Sequence, residues 1–283
     1  MNFYNDITII IISYKSTQKT IELVNTIPNL FKIIIVDNSS DMELKKSLND
    51  FKNVEIFFSK NNGVGFAINF AVSKIKTNYF FQISPDIIFN FDDLKLFYNK
   101  AKEINNNFSA LGPRFLNVDP KGHKQSNIQD ELGYIESIHG SAMFINKNTF
   151  NKLNGFDENI FLYFEETDFC KRCEKKGLKA YQLNKVKIKK DGRSVKTNNE
   201  SENKKLEKLL AWHFIWSKYY FYKKHYGRIF SIIYFQPILL RCLFKMIALY
   251  FINKDNYQKY KYRADGLLTS MLNKKSYLRI DKI

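Results

Sequence analysis

From residue 7 to residue 112 the chain alternates short apolar runs with amphipathic stretches, an order that suits parallel strands covered by helices and few other arrangements. Strands are predicted at 7–13, 32–37, 54–59, 79–84 and 110–112, with helices between them at 17–27, 41–51, 65–75 and 92–104. Ile33, Ile34, Ile35 and Val36 are apolar on consecutive positions. A strand covered on one face alone would alternate, so this one belongs in a sheet interior. Ser40 and Glu43 supply a capping box for the second helix. The fold class that follows is α/β, a mostly parallel sheet with flanking helices.

In an open parallel sheet, ligands bind beyond the carboxyl ends of the strands. The predicted strands end in Ser13-Tyr14-Lys15-Ser16, Asp37-Asn38-Ser39-Ser40, Lys60-Asn61-Asn62-Gly63 and Ser84-Pro85-Asp86. Each alone reads as an ordinary turn, because Asn, Asp, Gly and Ser are default turn residues. Four such ends along one edge point to a site. No GxGxxG or GxxxxGK(S/T) follows any strand, which argues against a dinucleotide dehydrogenase and a P-loop NTPase. Asp37 has the chemistry to accept the imide N–H of a uracil or thymine ring; its alternative is turn formation. Asp86 has the chemistry to share a divalent cation with a diphosphate, since Mg2+ commonly takes one or two protein carboxylates and completes its shell with phosphate and water. Its alternative is a Pro-Asp turn into the next helix.

Further on, Phe161-Leu162-Tyr163-Phe164 precedes Glu165, Glu166 and Asp168, and Lys171, Arg172, Lys175 and Lys176 follow before Gly177. Acids at the start and bases at the end describe a helix matched to its own dipole, worth under about 1 kcal/mol at an exposed end. The apolar run suggests a second use. Beside a buried wall, desolvation raises a carboxylate pKa and suits it to general base work.

Taken together, Val36-Asp37-Asn38-Ser39-Ser40, Asn61-x-Gly63 with Asn69 downstream, Ser84-Pro85-Asp86, and Gly155-Phe156-Asp157-Glu158 ahead of Tyr163-Phe164-Glu165-Glu166-Thr167-Asp168-Phe169-Cys170-Lys171-Arg172 resemble a family 2 inverting glycosyltransferase. The resemblance is to the GT-A fold and its bacterial rhamnosyltransferase-like branch, over roughly residues 7–195. It implies that Tyr14 and Asp37 contact the nucleoside of a dTDP- or UDP-sugar, that Ser13, Gly63 and Asn69 belong to the donor-binding site, and that Asp86 binds Mg2+ or Mn2+. Glu166 falls on the position of the base that deprotonates the acceptor hydroxyl, and Glu165 on the acid before it. The reaction implied is a single displacement at the anomeric carbon, which inverts it, with a glycan or lipid-linked acceptor in cell-surface polysaccharide synthesis. Three positions depart from the family pattern. The base is Glu instead of Asp, Ser84 stands where the metal motif often carries an acid, and Lys189 stands where many members carry a metal-binding His. A lysine there can contact phosphate directly.

The charge is unevenly spread. Through Cys170 there are 17 Lys and Arg against 20 Asp and Glu, and from Lys171 onward 28 against 8. A basic half suggests a surface for a polyanion. After a polar linker expected at 196–205, an aromatic, basic region leads to the apolar stretch 229–252, broken by Pro237, Arg241 and Lys245. Those breaks favour a helix lying in a membrane interface over a span; its alternative is a core helix with snorkelling bases. Two regions are expected, a nucleotide-sugar-binding domain at 1–195 and a helical basic region at 196–283. The start of the chain has no basic stretch, and its apolar run 7–12 is too short for a signal-peptide core. A cytoplasmic enzyme peripheral on the inner face of the membrane is therefore expected, on an anionic surface. The three cysteines, Cys170, Cys173 and Cys242, read as partly buried thiols. Two other functions compete: a catalytically inert sugar-nucleotide binder, and a nucleic-acid binder whose basic tail tracks phosphates. The second leaves the acidic strand ends unexplained, and nucleic acid is not expected as a partner.

Overall fold

The computed structural model of the protein describes residues 3–118, 124–192, 195 and 199–283. Arg193 and Ser194 lie outside the described residues, as does Lys196, with which the second region is expected to open. Two compact units emerge, one of residues 1–157 and 166–196, the other of residues 158–165 and 197–283.

In the first unit the chain runs through β1 (Ile7–Ser13), α1 (Thr17–Thr26), β2 (Lys32–Asp37), α2 (Met42–Ser47), β3 (Val54–Phe58), α3 (Val64–Lys74), β4 (Tyr79–Ile83), β5 (Ile87–Ile88) and α4 (Leu94–Glu103). It continues through β6 (Leu111–Phe115), β7 (Leu132–Ile135), β8 (Ala142–Asn146), α5 (Lys147–Lys152), α6 (Glu165–Glu174) and β9 (Ala180–Lys190). The first four strands are parallel in the order β3-β2-β1-β4, as the βα alternation requires. Beyond β4 the sheet becomes mixed. β8 runs antiparallel to β4 and β6, β6 lies parallel to β9, and β5 and β7 pair antiparallel with β9.

Period two divides the strands between two cores. Ile7, Ile9, Ile11, Ile33 and Ile35 pack with residues of α1, α2 and α4, while Ile10, Ile34 and Val36 pack with residues of α3, α5 and α6. Each side chain buried this way contributes roughly 1.5–3 kcal/mol. Polar side chains inside the strands, such as Gln82, Gln182 and Asn184, are buried as well. Cys170 and Cys173 belong to the second of these cores and are free thiols. Burial pushes both up to about 12, so neither is a thiolate at neutral pH. The cap of α2 differs from the expected capping box. Ser40 sits at φ 55, outside the extended conformation of an N-cap, and Asp41 takes the role, accepting from the Glu43 amide at 2.9 Å.

The second unit holds α7 (Glu200–Tyr226), α8 (Arg228–Leu249) and α9 (Lys254–Met271). Helix already begins at Glu200 within the stretch read as a linker, because Asn199 caps the Ser201 amide at 2.9 Å and Glu200 and Glu202 favour the positive end of the dipole. α7 and α9 approach closely at Gly266, where a Cβ would lie 2.6 Å from the Trp212 carbonyl oxygen. Trp212 donates to Asp265 at 2.7 Å, and Ser270 donates to the Trp216 carbonyl at 3.0 Å. His213 is wholly buried, 3.0 Å from both the Leu278 carbonyl and the Ser276 hydroxyl. Burial pushes its pKa down to about 3.

The run Phe161–Leu162–Tyr163–Phe164 also belongs to this unit. Ser217 donates to the Leu162 carbonyl at 2.8 Å, Phe161 lies against the His213 ring at 4.5 Å, and Tyr163 and Phe164 pack on Phe214. The partner of these aromatic residues is therefore α7; the sequence suggests instead a wall beside the acids that follow. Tyr163 and Phe164 take φ of 65 and 72, a conformation that costs a side-chain-bearing residue of order 1–3 kcal/mol.

Candidate active site

The carboxyl edge of the parallel strands collects the first group of residues. Ser13 and Asp37 are register partners at the ends of β1 and β2 and are both wholly buried. The Asn38 amide donates to the Ser13 carbonyl at 2.8 Å, and the Ser13 and Ser16 hydroxyls lie 3.2 Å apart. The Asp37 carboxylate accepts from the Ser39 hydroxyl at 2.7 Å and the Asp41 amide at 2.6 Å. It thus builds the turn in which it sits, the alternative left open by the sequence, and half-buried Tyr14 directly follows Ser13 in the chain. Gly63 caps α3 at φ 109, a backbone that a Cβ would strain.

Asp86 lies just past β4. The Ser84 carbonyl accepts from the Ile87 amide at 3.1 Å, closing a turn with Pro85 and Asp86 at its centre. The side chain is only 2% exposed, and neither carboxylate oxygen has a hydrogen bond. It forms an ion pair with Lys190, whose Nζ is 3.4 Å from Oδ2. A buried carboxylate this poorly satisfied costs several kcal/mol unless another cation reaches it. The neighbouring Asp191 amide donates to the Asp86 carbonyl at 2.7 Å, and its carboxylate pairs with Lys19 at 2.9 Å. Pro85, Asp86, Lys19 and Asp191 help to line a hollow of about 140 Å³.

Lys189 is placed differently from its expected role at the donor. It is exposed, in register with Ile88, while Lys190 reaches Asp86. Successive residues of a strand point to opposite faces, so one step along β9 exchanges the two lysines. The sequence reading missed Lys190 because it placed no strand over 180–190 and had no pleat to assign.

Glu166 reaches the same edge from the other side. Ala142, at the start of β8, pairs with Ile83, the last residue of β4, and the Ser84 amide donates to the Ser141 carbonyl at 2.8 Å. Gly140 stands just before, and a Cβ there would meet Glu166 Oε2 at 3.5 Å. Burial pushes the Glu166 carboxyl above the usual range, opposed by hydrogen bonding from Thr167, whose hydroxyl donates at 3.2 Å. Glu165 opens α6 and is 8% exposed.

Asn69 does a different job from the donor contact expected of it. Its amide donates to the Phe156 carbonyl and accepts from the Phe156 amide, both at 2.9 Å. Gly155, at φ 59, is required beside it, since a Cβ there would lie 2.5 Å from Asn69 Oδ1. Arg172 extends this clamp, pairing with buried Asp168 at 2.8 Å and donating to the carbonyls of Gly155 and Leu153. Asn69 and Arg172 thus fix the 153–156 turn to α3 and to the helix that carries Glu166.

The signature described as Glycosyl transferase family 2 matches residues 7–173. The low-salt glycan biosynthesis hexosyltransferase Agl10 of Haloferax volcanii is 26% identical over 198 residues, covering 62% of this chain and 63% of Agl10. Rhamnosyltransferase WbbL of Escherichia coli is 25% identical over 198 residues, covering 59% of this chain and 75% of WbbL. The match therefore spans a little under two thirds of the archaeal relative. Among solved structures, residues 1–349 of TarS from S. aureus superpose with a TM-score of 0.56 at 13% identity, over 97% of this chain and 93% of that one. GalNAc-T7, solved with UDP, GalNAc and Mn2+, gives 0.55 at 12% identity, over 76% and 49%. These neighbours share the GT-A fold. Since the family signature covers more than half of the 283 residues, from β1 into α6, the chain belongs to glycosyl transferase family 2.

Proposed function

We propose that the protein moves a hexose of the rhamnose type from a dTDP- or UDP-linked donor to a hydroxyl of a glycan or lipid-linked acceptor, in cell-surface polysaccharide synthesis, with inversion at the anomeric carbon. The observation that carries this reading is Glu166, a carboxyl raised by burial at the start of a helix and set against Gly140 on the sheet edge that holds Asp37 and Asp86. A carboxylate so tuned removes the proton of the acceptor hydroxyl as that oxygen attacks the sugar. The sugar passes through an oxocarbenium-like state and the nucleoside diphosphate leaves from the opposite face. The relatives' names, a hexosyltransferase and a rhamnosyltransferase, support the sugar class, and TarS structures with UDP and UDP-GlcNAc support the donor class.

Asp86 fits a divalent cation, because both its oxygens are buried without hydrogen bonds. Among the described residues no group of three or more His, Cys, Asp or Glu could hold a metal, so the fit is the mode in which one carboxylate and the donor diphosphate share it. Mg2+ or Mn2+ bound there would neutralise charge on the departing diphosphate. Lys190, held by Asp86, is placed to follow the same charge.

The test incubates the full chain with dTDP-rhamnose, UDP-glucose and UDP-GlcNAc, each with lipid-linked and free glycan acceptors, and reads the product anomer by NMR. An inverted glycoside whose formation is lost in Glu166→Gln is expected. Donor binding without turnover on any acceptor would assign an inert binder, and a retained anomer would reject the single displacement.

A further inference from the structure

We propose that α8 is a membrane anchor that lies in the plane of an anionic lipid surface, with its outer face among the acyl chains. The helix is long and apolar enough to cross a bilayer by length and composition, yet only 11% of its apolar window is buried. Its inner stripe is Ser231, Phe235 and Cys242, a helical spacing that faces α7 and α9. Its outer face is apolar as well: Ile229, Ile233, Phe244 and Ile247 are 65–79% exposed, and Phe251 just beyond is 92% exposed. An apolar face of this length, interrupted at Gln236 on its outer side, marks an interaction surface.

Three features select the occupant. The first is the packing of α8 along its flank against α7 and α9. Were α8 to span a bilayer, exposed Lys259 and Lys261 of α9, which packs along its flank, would be drawn towards hydrocarbon with it, where charged side chains are expensive. A helix in the interface keeps them in water. The second is charge. No acidic residue occurs between Glu207 and Asp255, whereas Lys223, Lys224, Arg228, Arg241, Lys245 and Lys254 are all basic. Two copies facing each other here would oppose like charges, while an anionic leaflet attracts every one of them. The third is a set of exposed tyrosines, Tyr226, Tyr234 and Tyr250, whose ring and hydroxyl suit the depth where headgroups meet acyl chains. None of this depends on glycosyl transfer.

Co-sedimentation of the full chain with vesicles tests the proposal, comparing phosphatidylcholine alone with a mixture containing one quarter phosphatidylglycerol. Binding is expected to be about tenfold or more tighter on the anionic vesicles and to weaken in high salt. Ile247→Glu combined with Phe251→Glu, both on exposed positions, should reduce binding about tenfold or more with circular dichroism and Tm unchanged. Leu30→Glu, an exposed apolar position in the other unit, should leave it intact. Equal binding to both vesicles, or binding untouched by the paired substitution, would overturn the proposal. So would a discrete dimer that ignores lipid, which would assign the face to a second copy, and complete resistance to alkaline carbonate extraction, which would assign a span.

Discussion

The two units differ in how much apolar surface they leave outside. In the sheet unit Ile7, Ile9, Ile10 and Ile11 are entirely shielded, and the buried acids Asp37 and Asp86 lie at or just past strand ends. In the helical unit His213, Ser217 and Ser231 are entirely shielded, while Ile229, Phe244 and Ile247 face outward. Helices on both faces let the sheet hide most of its apolar surface, and a buried carboxylate without hydrogen bonds at its edge, Asp86, is what that packing leaves unexplained. Three helices alone offer less interior. Theirs is held by hydrogen-bonded polar side chains and by the close approach at Gly266, and α8 keeps an apolar face for something else.

Substitutions that break each half in its own currency sharpen this contrast. The largest effect is expected at Asp86. Asp86→Ala should abolish measurable transfer and weaken donor binding in the presence of Mn2+, with Tm held or raised because an unsatisfied buried charge is removed. Transfer at the wild-type rate in this variant would remove Asp86 from the site. Next, Glu166→Gln should lower turnover by about 10²-fold or more while donor affinity survives. Because burial raises the Glu166 pKa and the base acts only when ionised, activity of the intact enzyme should fall on acidification at a pH above the ordinary carboxylate range. A rate flat down to the ordinary range would contradict that role, and a larger loss in Glu165→Gln would shift the base by one residue.

In the helical unit the expected effects are on stability. Gly266→Ala drives a Cβ against the Trp212 carbonyl and should cost roughly 1–3 kcal/mol in urea unfolding, less whatever alanine returns in helix propensity. Both tryptophans, Trp212 and Trp216, lie in α7, so their fluorescence reports this unit. The same signal tests His213. Its folded pKa of about 3 lies below the ordinary value of 6.5, so the unfolded chain binds the proton more readily. Stability is then complete above pH 6.5 and falls as the pH drops towards 3, by up to about 1.4 kcal/mol per unit. A tryptophan unfolding midpoint that stays constant from neutral to acid pH would refute a buried neutral histidine.

The smallest effect separates the two lysines of β9. Lys190→Met should cost roughly fivefold in turnover, the scale of one partly exposed ion pair, and Lys189→Met less than about twofold. The reverse order would mean that the pleat of β9 is out of phase with the site.

How far the sequence reaches can be followed residue by residue. β1 to β4 and the helices between them are readable because each is a local period, two or 3.6, carried by eleven residues or fewer at a time. Asp37, Asp86 and Glu166 are readable for a related reason: strand ends and helix starts are local, and a parallel sheet brings the ends together wherever the chain goes next. Lys190 is not readable, since its direction depends on the phase of a strand that pairs with β5, β6 and β7. Nor is the clamp of Asn69 on Phe156, which joins residues 87 positions apart. The segment Phe161 to Phe164 and helix α8 make the point most plainly. Their sequences state that they are apolar; only packing decided that the first meets α7 and that one side of the second stays exposed among the described residues. Periodicity says which side chains share a face, whereas what that face touches is set by contacts between residues far apart in the chain.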